Sequence, residues 1–321
     1  MNEPIFIARQ DTLEQEILPA HWLAQYKLFG EESYTFQDKG IWKKLCMSSA
    51  AANDRDMHAE ALEEMLTTFS AEHTGKWMLL VYGTNAAALE GLATMAAIAA
   101  NGTAMGAIVD NALLMHAIAN SETAMRAIAN SETAMQRIAN STTAMDAIGG
   151  SRIARDAVQA SPYYNSYIKE NDMAIAKLAV ALANLESAGY SGMAGVAADS
   201  TAMTAVAASA TAMGKIAAVD AALSKLAAST TAMDALYARK KQMKGGSASK
   251  SGKFIILEIS QSNAFNTSKY GYATLSDGSK PDWSSYLAKY AFFQKYPKYA
   301  TYMLNDTDSD DYIYYFDIAS P

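Results

Sequence analysis

The sequence predicts a multidomain, mainly α protein: a small α+β head, a solenoid of short helices on a ten-residue repeat, and a small α+β C-terminal cap. The main observation is a methionine that returns at ten-residue intervals, followed three positions later by Ile, Val or Leu. A fixed period marks a repeat architecture and is interpreted before any other feature. The second observation is a change to tyrosine-rich, strand-forming sequence from Lys253 onward. The periodic methionines are Met95, Met105, Met115, Met125, Met135, Met145, Met193, Met203, Met213 and Met233.

Two structures are compatible with a ten-residue period. In a continuous helix, ten residues at about 100° each fall about 80° short of three turns, so a Met/Ile seam needs about 3.33 residues per turn, tighter than a heptad coiled coil. The alternative is a short helix that ends and restarts in every repeat. We favour the broken helix, because the position four before each methionine or its equivalent is nearly always a residue that suits a helix N-cap. These positions are Gly91, Asn101, Asn111, Ser121, Ser131, Ser141, Ser151, Ser161, Asn171, Gly189, Asp199, Ser209, Val219 and Ser229.

The helices of such an array must bury one face against each other. A helix of about seven residues cannot stand alone in water. Its Met, Ile and Ala side chains are therefore expected to pack on neighbouring repeats, as in a solenoid. The methionine stripe is interpreted as core packing, with no cofactor or metal role, because Met fills irregular gaps between helices.

Four segments divide the chain. Residues 1–88 are predicted to form an α+β head that attaches the protein, with a helix over 54–69 and a buried strand over 76–82. Residues 89–238 form the array. The basic, Gly- and Ser-rich segment 239–252 is predicted to be a flexible linker. Residues 253–321 form the cap.

The cap is predicted to be a compact α+β domain. Strands are expected at Phe254–Ile259, Tyr270–Leu275 and Tyr312–Ile318, with a helical rhythm from Asp282 to Lys295. Exposed tyrosine provides contact area for proteins or sugars at a low entropic cost, although many of these rings could equally complete a small core. Both interpretations stay open. The candidate binding surface is Tyr270, Tyr272, Trp283, Tyr312 and Tyr314.

Composition limits the classes of protein. The chain has 321 residues, enough for two or three domains, and a net charge of −7, which argues against a nucleic-acid binder. A single cysteine, Cys46, excludes an intramolecular disulfide framework and a multi-cysteine zinc site. The longest apolar run, Leu92–Ala100, is shorter than a membrane span, and the first residues do not have the pattern of a signal peptide. We therefore expect no nucleic-acid partner, no membrane span and synthesis in a reducing compartment.

One acidic segment has the spacing of a metal site. Asp306, Asp308 and Asp310 alternate, and Asp317 is twelfth in the count, which partly matches a calcium-binding EF-hand loop. Asp311 stands where that loop has its turn glycine, and Asp317 stands where it has a bidentate Glu, so an acidic hairpin turn is favoured over a calcium site. No catalytic triad, phosphate-binding loop or metal-ligand spacing is present. We expect no enzyme, no catalytic residues and no cofactor.

The repeat resembles a known group of sequences. Its clearest copies are 121–130 and 131–140, and its consensus is Thr-Ala-Met-x-Ala-Ile/Val-Ala-Asn/Ala-Ser. This decapeptide resembles repeats in tail-fibre and other structural proteins of tailed bacteriophages. The match covers 101–148 and 193–236, about a third of the chain. It implies a virion component with one end bound to the particle, and it transfers no functional residues, because the repeat is scaffolding.

The expected function is that of a bacteriophage virion structural protein, a tail, neck or fibre component in which the array is a spacer between an attachment domain and a binding domain. The resemblance implies other virion proteins and further copies of the chain as partners, a host-surface glycan or protein as receptor, and a location in the virion after assembly in the host cytoplasm. The alternative is a cellular adaptor whose solenoid binds a protein. An adaptor predicts a variable, polar or aromatic stripe on one side of the array, whereas the variable positions here carry Glu, Arg, Gln, Asp, Thr and Lys without a pattern, which favours a passive spacer.

Overall fold

The computed structural model describes residues 95–260, 271–283, 287–306 and 311–321. These residues divide into two compact units, one ending at Ile168 and the other beginning at Lys169. The division lies inside the segment 89–238 that the sequence predicts to be one array. The predicted head, residues 1–88, lies outside the described residues.

The first unit consists of short helices on the ten-residue period. Most of these helices begin directly after a residue in extended conformation whose side chain caps the helix: Ser121, for example, accepts a hydrogen bond from the N–H of Ala124. The helices are α1 (Met95–Ala100), α2 (Gly102–Val109), α3 (Ala112–Ala119), α4 (Glu122–Ala129), α5 (Glu132–Ala139), α6 (Thr142–Gly150) and α7 (Arg152–Ala160), followed by a π-helical turn at Tyr164–Ile168.

Each helix of this unit packs on the third helix after it. The stacked pairs are α1 with α4, α2 with α5, α3 with α6, α4 with α7, and α5 with the π-helical turn. Three decapeptides therefore make one turn of the array, and consecutive turns lie directly on each other. The buried stripe of each repeat is Ala, Met, Ile and Ala, as at Ala134, Met135, Ile138 and Ala139.

The capping serines also bond the turns to each other. The hydroxyl of Ser151 donates to the carbonyl oxygen of Ala119, 32 residues earlier, at 2.5 Å, while the same oxygen accepts from the N–H of Ala154 at 3.3 Å. One atom thus satisfies the start of α7 and the end of α3, where helices leave backbone groups without intrahelical partners. The same pair of bonds is made by Ser131, Ser141 and, with Tyr163 N–H as donor, Ser161.

The second unit begins with six more helices of the array. These are α8 (Asp172–Leu182), α9 (Met193–Ala198), α10 (Ser200–Ala208), α11 (Ala210–Ala217), α12 (Asp220–Ala227) and α13 (Thr230–Ala238). They stack in the same way, α8 on α11, α9 on α12 and α10 on α13. Ser229 donates to the carbonyl of Ala197 at 2.5 Å, again over 32 residues.

A six-stranded antiparallel sheet completes the second unit. Its strands, in the order β1-β6-β2-β5-β3-β4, are β1 (Lys241–Lys244), β2 (Ala248–Ser260), β3 (Gly271–Leu275), β4 (Asp282–Trp283), β5 (Ala300–Asn305) and β6 (Tyr312–Asp317), with a short helix α14 (Ala291–Lys295) before β5. The long strand β2 pairs with β5 over Ala248–Ser251 and with β6 from Phe254 to Ser260, and Phe254 pairs with both strands. Between Ser251 and Phe254, a Cβ on Gly252 would lie 2.4 Å from the buried ring of Phe254, so only glycine fits.

The two faces of the sheet have different partners. One face encloses an apolar cluster drawn from all six strands, including Phe254, Trp283 and Met303. On the other face Ile255, Leu257 and Phe316 share a cluster with the Met, Ile and Ala residues of the array. The sheet and helices α8–α13 therefore have a common core.

The predicted fold class, mainly α with small caps, is wrong. The second unit is built around a six-stranded sheet that shares the core of the array. The predicted flexible linker at 239–252 is also wrong, because β1 and the first part of β2 occupy most of it. Exposed Lys, Ser and Gly are typical of linkers, but here backbone pairing with β5 and β6 orders them, and the buried Asn305 donates its Nδ2 to the Met243 carbonyl of β1 at 3.2 Å.

The serine bonds give a first prediction. Ser151→Ala leaves the Ala154 N–H and the Ala119 carbonyl without this partner. We expect the free energy of unfolding to fall by about 1–3 kcal/mol, more than a surface change. The control Thr142→Ala, at an exposed position of α6, should change it by less than about 0.5 kcal/mol. Urea unfolding followed by circular dichroism measures both, and equal effects would contradict the role given to the serine.

Two glycines of the second unit give opposite predictions. A Cβ on Gly271 would lie 2.2 Å from Nε1 of the buried Trp283, so Gly271→Ala should lower the free energy of unfolding by about 1–3 kcal/mol. A Cβ on Gly214, inside α11, meets no atom within 4 Å. Gly214→Ala should therefore raise the stability by up to about 1 kcal/mol through helix propensity. Denaturant midpoints that move in the same direction would contradict the packing at Gly271.

Candidate functional site

The structure separates the side chains of the predicted binding surface. Tyr272 lies on the sheet face opposite the enclosed core, and Tyr312 and Tyr314 lie half-buried on β6. Trp283 is only 2% exposed. Tyr270 lies outside the described residues. The predicted set is therefore not one surface: Tyr272 and Tyr314 belong to two different regions of the second unit.

Trp283 is a core residue, which corrects its assignment to a binding surface. Its ring lies edge-on to Phe292, with centroids 5.7 Å apart and an interplanar angle of 86°. It covers Gly271 on the neighbouring strand, where the absence of a side chain leaves room for the indole. Its Nε1 has no hydrogen-bond partner within the ranges that the structure describes.

The first tyrosine region, here called the junction cluster, consists of Tyr237, Tyr290, Tyr314, Lys240 and Lys289. Tyr237, at the end of α13, meets Tyr290 edge-on with centroids 5.8 Å apart and lies 6.4 Å from Tyr314 of β6. The ammonium of Lys240 lies 4.1 Å from the centre of the Tyr237 ring, and that of Lys289 lies 4.3 Å from it. The cluster thus joins the last helix of the array to the sheet.

Carboxylates accept hydrogen bonds from the hydroxyls of Tyr237 and Tyr290 in this cluster. Tyr237 donates its hydroxyl proton to Glu258 at 2.5 Å, and burial together with this bond raises the pKa of the Tyr237 phenol. Tyr290 donates to Asp234, which also accepts from Lys289 at 3.1 Å. The phenols therefore stay protonated at neutral pH and act as hydrogen-bond donors. Neither is arranged as a nucleophile or a general base.

A further contact braces the same junction. Lys298 Nζ lies 2.5 Å from Asp220, at the start of α12, and 3.5 Å from Asp277 in the turn after β3. The hydrogen bond to Asp220 raises the pKa of Lys298, and bonds from Ser279 lower the pKa of Asp277. Because lysines cover Tyr237 and carboxylates hold the hydroxyls, the junction cluster connects two parts of the unit and leaves little ring surface for a ligand.

The second tyrosine region, here called the outer sheet face, lies on strands β3 and β5. Side chains alternate between the two faces along a strand. The alternate residues Gly271, Ala273 and Leu275 are buried, so Tyr272 and Thr274 point away from the enclosed core. Tyr302 pairs directly with Thr274, and the Tyr272 and Tyr302 rings are 5.7 Å apart at 37°. Both rings are half-buried. Sequence analysis missed Tyr302, although its position between buried Ala300 and Met303 places it opposite the core once the strand is known.

The acidic segment is only partly within the described residues. Asp306 accepts a hydrogen bond from the Ser247 hydroxyl. Asp317 lies 3.4 Å from Lys241 Nζ and accepts from the N–H of Ala319 at 3.2 Å. Asp308 and Asp310 lie outside the described residues, and the ranges that are described contain no group of three metal-ligating side chains. The expected acidic hairpin turn and its alternative, a calcium site, therefore both stay predictions.

The first unit has a groove of its own. It lies between α4 and α7 and has a volume of about 420 Å³. Three alanines contribute to its lining, together with polar residues that include Glu122 and Arg126, which are bonded at 2.7 Å. Ile153, which is 38% exposed, also lines it. The groove has the size of a contact for one or two side chains of a partner.

No helix in the described part of the chain is both long and apolar enough to cross a bilayer. The longest helix of the described ranges, α8, has 11 residues, far fewer than the roughly 20 that a bilayer requires.

The junction cluster gives a prediction of pH dependence. Hydrogen bonds from Tyr290 and Lys289 lower the pKa of Asp234 below its ordinary value of 3.8. The stabilisation from this carboxylate is therefore present above the unfolded pKa and is lost as the pH falls through the folded pKa. Asp234→Asn should reduce stability at pH 6 more than at pH 2.5, as measured by urea midpoints. The exposed Asp156, which contacts only a surface arginine at 3.8 Å, supplies the control Asp156→Asn, and a pH-independent loss in Asp234→Asn would contradict the assignment.

Comparison with known proteins assigns the chain to no family. No protein-family model matches it, and no curated protein is significantly similar to it. Its function must therefore be inferred from the residues themselves.

Proposed function

We propose that the chain is a structural protein of a bacteriophage virion, a tail or neck fibre component. In this proposal the helical array separates an attachment region, residues 1–88, from a binding domain formed by the C-terminal sheet. The attachment region lies outside the described residues, so the proposal for that end rests on the repeat alone. The chain has no catalytic role and needs no cofactor.

The observation that carries the proposal is the bonding between turns of the array. Each serine cap that bonds to the turn below fixes the spacing and register of two turns, as Ser141 does with Val109 at 2.7 Å. Outward positions carry mixed charges, such as Glu122, Arg126 and Asp146, without a shared pattern. A stiff array with an unpatterned surface is suited to holding other domains apart.

The sheet supports a binding role at one end. It shares a core with the array, and the junction cluster braces it, so a surface on the sheet is held in a fixed orientation relative to helices α8–α13. We propose other virion proteins and further copies of the chain as partners, and a host-surface glycan or protein as receptor. The protein is assembled in the host cytoplasm and resides in the virion. The proposal includes no nucleic-acid partner.

Purified particles provide the test. If the chain is a virion component, mass spectrometry should detect it in gradient-purified particles in a fixed ratio to the major capsid protein. Immunogold labelling with antibodies against 253–321 should mark the tail or neck. A phage-encoded enzyme of DNA metabolism serves as the control for carry-over from the lysate. A chain that is abundant in the lysate and absent from the particles would overturn the proposal.

The groove of the first unit favours a second candidate, a cellular adaptor that binds a protein through the array. Ile153 is the exposed large aliphatic that a partner would cover. Ile153→Glu should abolish binding of such a partner, whereas Gln136→Glu, at an exposed position of α5, should not. Equal co-purification of the same partner by both variants would exclude the groove as its site.

A further inference from the structure

We propose that the outer sheet face binds a neutral oligosaccharide. The inference deepens the proposed function and rests on it, because it identifies the receptor-binding surface and the chemical class of the receptor. The face is defined by the register of four strands. Across β4, β3, β5 and β2, one row is Asp282, Tyr272, Leu304 and Ser249, and the next is Thr274, Tyr302 and Ser251. Directly paired residues of antiparallel strands point to the same side of a sheet.

The two rings provide the apolar part of such a site. Tyr272 and Tyr302 lie 5.7 Å apart with a tilt of 37°, so their faces are inclined to each other rather than stacked. The face of an aromatic ring carries negative potential. It attracts the C–H groups on the apolar side of a sugar ring, which carry partial positive charge. Two inclined rings fit successive sugars of a chain that is itself twisted.

The neighbouring side chains provide the polar part. Thr274, Ser249 and Ser251 contribute hydroxyls, and the serines are exposed. Asp282 is exposed at one end of its row and contributes a carboxylate, which accepts hydrogen bonds from sugar hydroxyls. At about 4.8 Å between neighbouring strands, the row of four residues is about 14 Å wide and the row of three is about 10 Å wide. These widths accommodate a short oligosaccharide, and polar side chains lie on both sides of the rings, where they can bond to sugar hydroxyls.

The charge of this face disfavours an anionic ligand. None of the seven side chains is basic, and Asp282 repels phosphate, sulfate and carboxylate groups. Nucleic acids and acidic polysaccharides need Lys or Arg at the contact. The lysines of the junction cluster do not help, because Lys240 and Lys289 lie over the ring of Tyr237, which belongs to the other tyrosine region.

Size and composition argue against a protein partner. A stable protein interface uses about 20–30 residues on each side and has an apolar, fully buried centre. The outer sheet face has seven side chains, of which only Leu304 is aliphatic and four are polar without an aromatic ring. A sugar chain, whose own surface alternates hydroxyls with C–H groups, matches this mixture better.

The test uses the full chain and defined sugars. The probes are maltohexaose, cellohexaose, mannohexaose and chitohexaose, titrated by isothermal calorimetry. We expect saturable binding of at least one hexaose and at least a tenfold loss of affinity in Tyr302→Ala. Tyr302→Phe should retain most of the affinity, because the ring is kept. The matched control Tyr312→Ala, on β6 and away from the face, should bind as the parent chain does.

Two further measurements make the outcomes decisive. Because Tyr302→Ala could impair folding, Asp282→Asn, a change of an exposed side chain, is titrated as well and should also weaken binding. Dextran sulfate is titrated as an anionic probe. Any one of three results would overturn the inference: no saturable binding of any hexaose, equal binding by Tyr302→Ala and Tyr312→Ala, or tighter binding of dextran sulfate than of the neutral hexaoses. If no hexaose binds but the chain is found in purified particles, the sugar site is wrong and the proposed virion function still stands. If a hexaose binds but the chain is absent from purified particles, only the proposed virion function is wrong.

Discussion

The serine hydroxyl that joins two turns of the array is the interaction on which the first unit depends. A helix of eight residues has as many backbone groups without intrahelical partners as with them, so both ends must be satisfied from outside. Ser141 satisfies one donor at the start of its own helix and one acceptor at the end of α2. Asp199 accepts two N–H groups at its helix start, but its carboxylate has no proton to donate to the turn below. The repeated serine is therefore a feature of the stacking as much as of the helix.

In the second unit the same array continues into a sheet through one core. Apolar residues of β2 and β6 join the Met, Ile and Ala stripe, and Tyr237, Tyr290 and Lys298 form the polar edge of that contact. Because the carboxylates at this edge are partly exposed, solvent screens each pair and its individual contribution is modest. The shared apolar core holds the sheet to the helices, and the polar contacts fix its orientation.

Tyrosine has two roles in this sheet, and strand register decides between them. Tyr315 points into the enclosed core, where its ring lies 5.2 Å from Phe254. Tyr314, one residue earlier, points to the array and joins the junction cluster. Tyr302 points away from the core and is half-buried. One residue type therefore provides packing, connection and a candidate binding surface, according to the side of the sheet on which it lies.

The sequence by itself determined the local features of this protein. The cap residue of each decapeptide places the helix starts, and the Ala-Met-x-x-Ile-Ala pattern places the buried stripe, because both depend on neighbours within one turn of helix. Only the tertiary structure decided that repeats stack three apart, since the bond from Ser151 to Ala119 joins residues 32 positions apart. The same holds for three features of the sheet: the strands formed by the Lys- and Gly-rich segment after Ala238, the burial of Trp283, and the position of Tyr302 beside Tyr272. Each depends on pairing between strands that are distant in the sequence, and such pairing leaves no periodic signal in either strand.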